Sequence, residues 1–265
     1  MASDRAPDSP PPLSGAEPDS ASPDATYPDP AAIDRHKDAA ARAAAELVQD
    51  GMALGLGTGS TVAHLLRALG ERAGQLTGTR CVATSPATAR IATELGLRVC
   101  ELDDVGELDL AIDGADQVDP ACWLVKGGGG AHTREKIVAA CARRFVVIVS
   151  ADKLVTRLAP PVPLEVLRFG VQRTLAAVGG DSRLRASGRG GGGEAGYGPA
   201  AASPDGNLIA DYHGPVEDPL ALAARLSATP GVVEHGLFAP NLVSEIFVAG
   251  ADGVRRRAGG KPFDP

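Results

Sequence analysis

With 265 residues and 44% hydrophobic side chains, the chain can bury one large core or two smaller ones. A net charge of −7 argues against a nucleic-acid binder, which would show a basic patch or stripe. No apolar run reaches the ~20 residues that a membrane span needs. The four cysteines (Cys81, Cys100, Cys122, Cys141) have no C-x-x-C or other short metal spacing. They read as small buried hydrophobes in a reducing compartment. The N-terminus lacks the basic and apolar regions of a secretion signal, so the expected setting is cytoplasmic.

Residues 1–30 hold eight of the 21 prolines, six acids and one arginine, with almost no aliphatics. Such a segment cannot offset its ordering entropy by burial and is expected to be a disordered tail. An alanine-rich helix is predicted over 31–49, stopped before Asp50-Gly51. Met52 to Leu56 reads as a short buried strand and GTGS as the loop after it. Thr61 to Leu69 forms a helix with Val62, Leu65, Leu66 and Leu69 on one face. Then come the strand CVATS, a helix from Ser85-Pro86 to near Gly96, and the strand LRVCEL. LDLAID and WLV read as strands, Thr133 to Ala142 as a helix, and RFVVIVS as a strand. This alternation predicts the α/β class, with a parallel sheet covered on both faces.

Beyond Pro160 the pattern changes. VPLEVL reads as a strand, GVQRTLAAVGG as a helix and SGRGGGGEAGYG as a flexible loop. GNLIADYH is then a strand, PLALAARLSATPG a helix and GVVEHGLF a strand. That order fits a small α+β (ferredoxin-like) module. EIFVAG would return to the main sheet as its last strand, and the RRRAGGKPFDP tail is assigned no element.

Chemistry concentrates between Asp113 and Lys136. Asp113 and Asp116 follow the LDLAI strand, and Lys126 follows WLV. Four glycines come next (Gly127, Gly128, Gly129 and Gly130), then Glu135. Ligands of open α/β sheets sit at the C-terminal ends of strands, and a glycine run lets backbone N–H groups face an anion. Thr133 is expected to cap the following helix, with Glu135 in its first turn. A second glycine turn, GLGTGST, spans Gly55 to Thr61 between a strand and a helix. It is neither the dinucleotide fingerprint, since Ser60 stands where the third glycine belongs, nor a P-loop, since it has no lysine. The hydroxyls of Thr58, Ser60 and Thr61 point toward phosphate or sugar oxygens.

With GLGTGST, DGADQVDP, KGGGGAHTREK, SADKLV, PLEV, GNLIADYHG and PGVVEHGLF in this order over roughly 31–256, the chain resembles the ribose-5-phosphate isomerases of the A type. The resemblance implies a Rossmann-like parallel-sheet domain, 31–165 plus 236–256, with an inserted α+β lid over 166–235. It implies a homodimer or homotetramer and cofactor-free, metal-free interconversion of ribose 5-phosphate and ribulose 5-phosphate. Glu135 matches the base that carries the proton between C2 and C1. Asp113, Asp116 and Lys126 match the groups that open the ring and stabilise the enediolate. Thr58, Gly59, Ser60, Thr61, Lys153 and Lys37 match those around the phosphate and hydroxyls. Gly114, Ala115 and residues 127–129 complete the substrate wall. His132 replaces an apolar residue, and residues 185–203 run longer and richer in glycine than the family pattern.

The chemistry needs such a set. A carboxylate can remove the C–H proton if desolvation lifts its pKa toward neutrality. An ammonium and fixed N–H donors then stabilise the enediolate, and the phosphate supplies remote binding energy. Two other functions use related folds. A sugar-phosphate sensor would need the phosphate loop but not Lys126 and Glu135, and would carry a DNA-binding helix-turn-helix. A coenzyme A transferase would need its glutamate nucleophile in a different sequence setting, and an amino-sugar deaminase would release ammonia from glucosamine 6-phosphate. His132 and Glu135, three apart, could share a helix face as metal ligands, but no further ligand is in sight.

Overall fold

The computed structural model describes residues 29–187 and 200–261. The predicted tail lies almost wholly outside them, as does most of the glycine-rich loop. The first half of the chain forms α1 (Pro30–Ala45), β1 (Ala53–Leu56), α2 (Ser60–Gly70), β2 (Arg80–Ala83), α3 (Pro86–Glu94), α4 (Leu102–Val105), β3 (Leu108–Asp113), β4 (Gln117–Val118), β5 (Leu124–Val125), α5 (His132–Cys141) and β6 (Ala142–Ser150). The second half forms β7 (Val162–Val166), α6 (Val171–Val178), β8 (Arg183–Leu184), β9 (Leu208–Tyr212), α7 (Pro219–Ser227), β10 (Val232–His235), β11 (Leu237–Phe238), β12 (Glu245–Gly250) and β13 (Gly253–Ala258).

The largest sheet has the order β13-β12-β6-β3-β1-β2, and every pairing in it is parallel except that of β13 with β12. Side chains alternate across it with the strand period of two. Leu110, Ile112, Val146, Ile148, Phe247 and Ala249 face the helices α1 and α2. Ala111, Phe145, Val147, Val149, Ile246 and Val248 face the α5 side. Both faces are therefore covered, as continuous apolar strands require.

A second sheet, β10-β7-β9-β8, is antiparallel throughout, with the strands in the ferredoxin-like order fourth, first, third, second. It has its own core of Val162, Leu164, Leu175, Ala210, Tyr212, Leu222 and Leu226. A small third sheet, β11-β5-β4, takes β4 and β5 from the chain between β3 and β6, and β11 from between β10 and β12.

Several elements depart from the sequence reading. The WLV segment does not join the parallel sheet, and its Leu124–Val125 pairs antiparallel with β4 and β11. The stretch from Asp113 to Leu124 is too short for the crossover a parallel neighbour needs. LRVCEL yields only a bridge from Val99 to Cys81, after which α4 starts with acids in its first turn. GVVEHGLF splits into β10 and β11 at Gly236, where a Cβ would lie 2.1 Å from Lys126 O. The first helix ends at Ala45 rather than 49. The arginines after Gly253 form the edge strand β13, where charged side chains suit a solvent-facing rim. The helix after the glycine run starts at His132 with Ala131 at its cap, so Thr133 lies inside it and does not cap it.

Candidate active site

Neighbouring strands β1 and β3 end level with one another, Leu56 opposite Ile112, so the loops that leave them meet. Gly57 N–H donates to Ile112 O (3.0 Å), and Thr58 N–H donates to Asp113 Oδ1 (3.1 Å). No other residue fits at 57, because a Cβ there would be 1.9 Å from Asp113 Cγ. Gly59, with φ +135°, turns the chain into α2, which has no side-chain cap. The uncapped N–H groups at the start of α2 are thus available to an anion. Behind the loop, Thr58 Oγ1 lies 2.8 Å from Thr84 Oγ1 and 3.2 Å from Thr88 Oγ1.

Lys126 enters from the other side at the end of β5. Its Nζ lies 2.9 Å from Asp113 Oδ2 and 3.0 Å from Glu135 Oε2, and it donates to Gly114 O at 2.7 Å. All three ionisable side chains are almost wholly shut off from water. One cation shared by two carboxylates leaves an excess negative charge in a low-dielectric site, which disfavours ionisation of the acids. Burial, together with the charge of Asp113, pushes the Glu135 carboxyl up to about 8, with Lys126 pulling the other way. The N-terminal turn of α5 would favour the ionised form, but a dipole worth ~1 kcal/mol does not outweigh that burial. Asp113 is also raised by burial, against the pull of Lys126 and two backbone N–H groups. Burial works against the Lys126 ammonium, but Asp113 and Glu135 more than offset it and raise its pKa. Lys126 stays charged.

The glycine run closes this wall. Asp116 Oδ2 accepts Gly128 N–H at 2.8 Å, and a Cβ at 128 would sit 2.9 Å from Asp116 Oδ1. Gly127 has φ +102°, and a Cβ there would meet the His132 ring at 2.6 Å. Every residue expected to act on or bind the substrate borders a single cleft of about 130 Å³, except Asp113, which sits behind Lys126; Gly130, His132 and Thr133 do not line it. Lys153, just after β6, and Lys37, on α1, line it together with the first residues of α2.

The sequence model of "Ribose 5-phosphate isomerase A (phosphoriboisomerase A)" matches residues 80–253. A ribose-5-phosphate isomerase A from Roseiflexus castenholzii is 48% identical over 223 residues, 81% of this chain and 92% of that protein. The chain belongs to the ribose-5-phosphate isomerase A family. The solved family member from Methanocaldococcus jannaschii superposes with a TM-score of 0.77 at 35% identity, covering 84% of this chain and 98% of that one. A D-ribose-5-phosphate isomerase solved in complex with phospho-erythronic acid also has a TM-score of 0.77 at 35% identity, covering 85% and 99%.

Several residues around this site have no signal in the sequence. Arg185 Nη1 donates to the carbonyls of Gly127 and Gly128, both at 2.9 Å, while its other nitrogens pair with Asp211. Two ammoniums approach the Phe238 ring, Lys126 Nζ at 5.4 Å and Lys136 Nζ at 5.0 Å from its centroid. Each contact joins segments far apart in the chain, and local pattern does not report such contacts. His132, expected from the resemblance to be apolar, is fully buried. Burial and the nearby Lys136 push its pKa down to about 3, so it is neutral. Its Nε2 faces Glu234 O at 3.4 Å, an acceptor, so that nitrogen carries the hydrogen. Among the described residues no group of three or more His, Cys, Asp or Glu could hold a metal.

Proposed function

We propose that the chain interconverts D-ribose 5-phosphate and D-ribulose 5-phosphate, with Glu135 carrying a proton between C2 and C1. The observation that carries this reading is the buried Asp113–Lys126–Glu135 cluster at the wall of a cleft lined by hydroxyls, backbone N–H groups and lysines. A carboxyl raised to about 8 is a strong enough base for a proton next to a carbonyl, yet still ionised in part near neutral pH. The charge passed to O1 and O2 meets Lys126 and the N–H groups of the glycine run.

Ring opening falls to the Asp113–Asp116 pair. Asp116 is on the cleft wall and meets the sugar, while Asp113 holds the ammonium from behind. The start of α2, with Thr58, Gly59, Ser60 and Thr61, takes the phosphate together with Lys153 and Lys37. The ferredoxin-like unit, which starts with β7 at Val162 rather than at the expected 166 and runs to 235, forms a lid, and the parallel-sheet elements before it together with 236–256 form the catalytic domain.

A homo-oligomer, dimer or tetramer, is supported by exposed apolar side chains, notably Phe169 at 94% and Leu220 at 67% exposure. A cytoplasmic setting is supported by four free cysteines. No helix among the described residues is long and apolar enough to cross a membrane.

The test is ribulose 5-phosphate formation from ribose 5-phosphate, measured with a chelator present and across a panel of aldose phosphates. Turnover confined to pentose 5-phosphates is expected. Faster turnover of a hexose phosphate, or ammonia release from an amino-sugar phosphate, would overturn the substrate assignment.

A further inference from the structure

Five consecutive residues open α5, and four of them are bound to the ferredoxin-like unit. His132 Nε2 faces Glu234 O, and Lys136 Nζ donates to Glu234 Oε1 and His235 O, both at 2.7 Å. Arg134 grips Asp205 through two nitrogens. Thr133 Oγ1 donates to Glu165 Oε2 at 2.5 Å. Glu135 alone turns to the cleft.

Among these contacts the Thr133–Glu165 pair is unusual. Glu165, on β7, is fully buried, and its hydrogen bonds come from three neutral donors: Thr133 Oγ1, Ser203 Oγ (2.7 Å) and Asn207 Nδ2 (2.8 Å). Burying a carboxylate on neutral donors is an expensive way to join two units, and an apolar contact would hold them at less cost. Such a carboxylate does provide direction, because three donors converge on two oxygens and fix its plane. Residues two apart on a helix lie on opposite sides, so a hold on Thr133 sets the rotation at which Glu135 meets the cleft.

We propose that Glu165 and Thr133 are a positioning pair for the reaction, fixing the first turn of α5 so that the Glu135 carboxylate stands over the sugar's C1 and C2. This rests on Glu135 being the base. The pair never touches substrate and acts through the helix. A displacement of about 1 Å at a reacting group costs roughly a hundredfold in rate, so the effect belongs in kcat.

The experiment compares Thr133→Val, Thr133→Ser and Glu165→Gln in the full chain, each alone and with Glu135→Gln, with melting curves to establish that each is folded. Thr133→Val and Glu165→Gln should each lower kcat about 10- to 100-fold, with KM within about threefold of wild type. Thr133→Ser, which keeps the hydroxyl, should return kcat to within about threefold. In the Glu135→Gln background neither Thr133→Val nor Glu165→Gln should lower the residual rate further, because the group they aim is gone. Wild-type kcat in a folded Thr133→Val or Glu165→Gln protein would overturn the proposal, as would a loss seen only in KM or an additive loss in the double variants. If Thr133→Val does not fold, Glu165→Gln decides by the same readouts. Near-normal activity of Glu135→Gln alone would instead remove the base assignment, so the two failures are distinguishable.

Discussion

Glu135 Oε2 lies 3.0 Å from Lys126 Nζ, with each side chain 3% exposed. An acid this well hidden keeps its proton to unusually high pH even beside a cation, because Asp113 already claims that cation. For a base that must be ionised to act, kcat/KM of the free enzyme should rise with pH through about 8 and level above it. A pH–rate profile checks this, and a limb near the ordinary carboxyl value of 4.5 would contradict it.

Linkage gives the same group an effect on stability. Its pKa is higher folded than unfolded, so its contribution is most favourable below about 4.5 and is lost as pH rises through about 8. The melting temperature of wild type relative to Glu135→Gln should therefore fall between about pH 5 and pH 9. Calorimetric scans of both proteins test it, and a difference that grows with pH would reverse the sign.

Removing the ammonium should be severe. Lys126→Met leaves two buried carboxyls facing each other, a loss of roughly 3–5 kcal/mol when one partner of a buried pair goes. The penalty should be largest near pH 8 and smaller near about pH 5, where both acids can take up protons. Urea melts at the two pH values measure it, and isomerase activity should vanish at both.

Gly57 is predicted to be irreplaceable for a steric reason. In Gly57→Ala the new methyl must displace Asp113, since it would lie 1.9 Å from the carboxylate carbon. Overpacking of this kind costs about 1–3 kcal/mol, and the Asp113 contact to Lys126 moves with it. A lower melting temperature together with a fall in kcat of more than tenfold is expected. Normal kinetics would mean that Asp113 does not need its present position.

The parts of this site that were legible in the sequence lie at strand ends. LDLAI followed by Asp113, and WLV followed by Lys126, placed polar groups just beyond apolar runs. Glycines 127–130 marked a wall without side chains, and the cleft joins these to the GLGTGST loop. The rest depends on which partners each segment finds in the fold, which local pattern does not report. Thr133 has the composition of a helix cap, but its hydroxyl goes to Glu165, and the helix starts one residue earlier. WLV has the apolar character of a central strand, but the short connection from Asp113 leaves it only antiparallel partners. The arginines of β13 look like a solvated tail, and they become a strand because β12 offers an open edge.

Lys153 and Lys37 should separate binding from chemistry. Lys153→Met is expected to raise KM for ribose 5-phosphate about tenfold or more and to change kcat little, as loss of one charge-assisted contact to a phosphate would. Lys37→Met, on α1, should show an effect of the same kind. Steady-state kinetics with both variants checks the assignment, and a loss confined to kcat would place these lysines elsewhere in the mechanism.

The most direct test follows the C2 hydrogen of ribose 5-phosphate in deuterated water by NMR with wild type and Glu135→Gln. With Glu135 as the base, wild type exchanges that hydrogen with solvent as it turns over. The variant should bind the sugar phosphate, as calorimetry would show, yet exchange it about 10²- to 10⁴-fold more slowly. Exchange at the wild-type rate in folded Glu135→Gln would contradict the account.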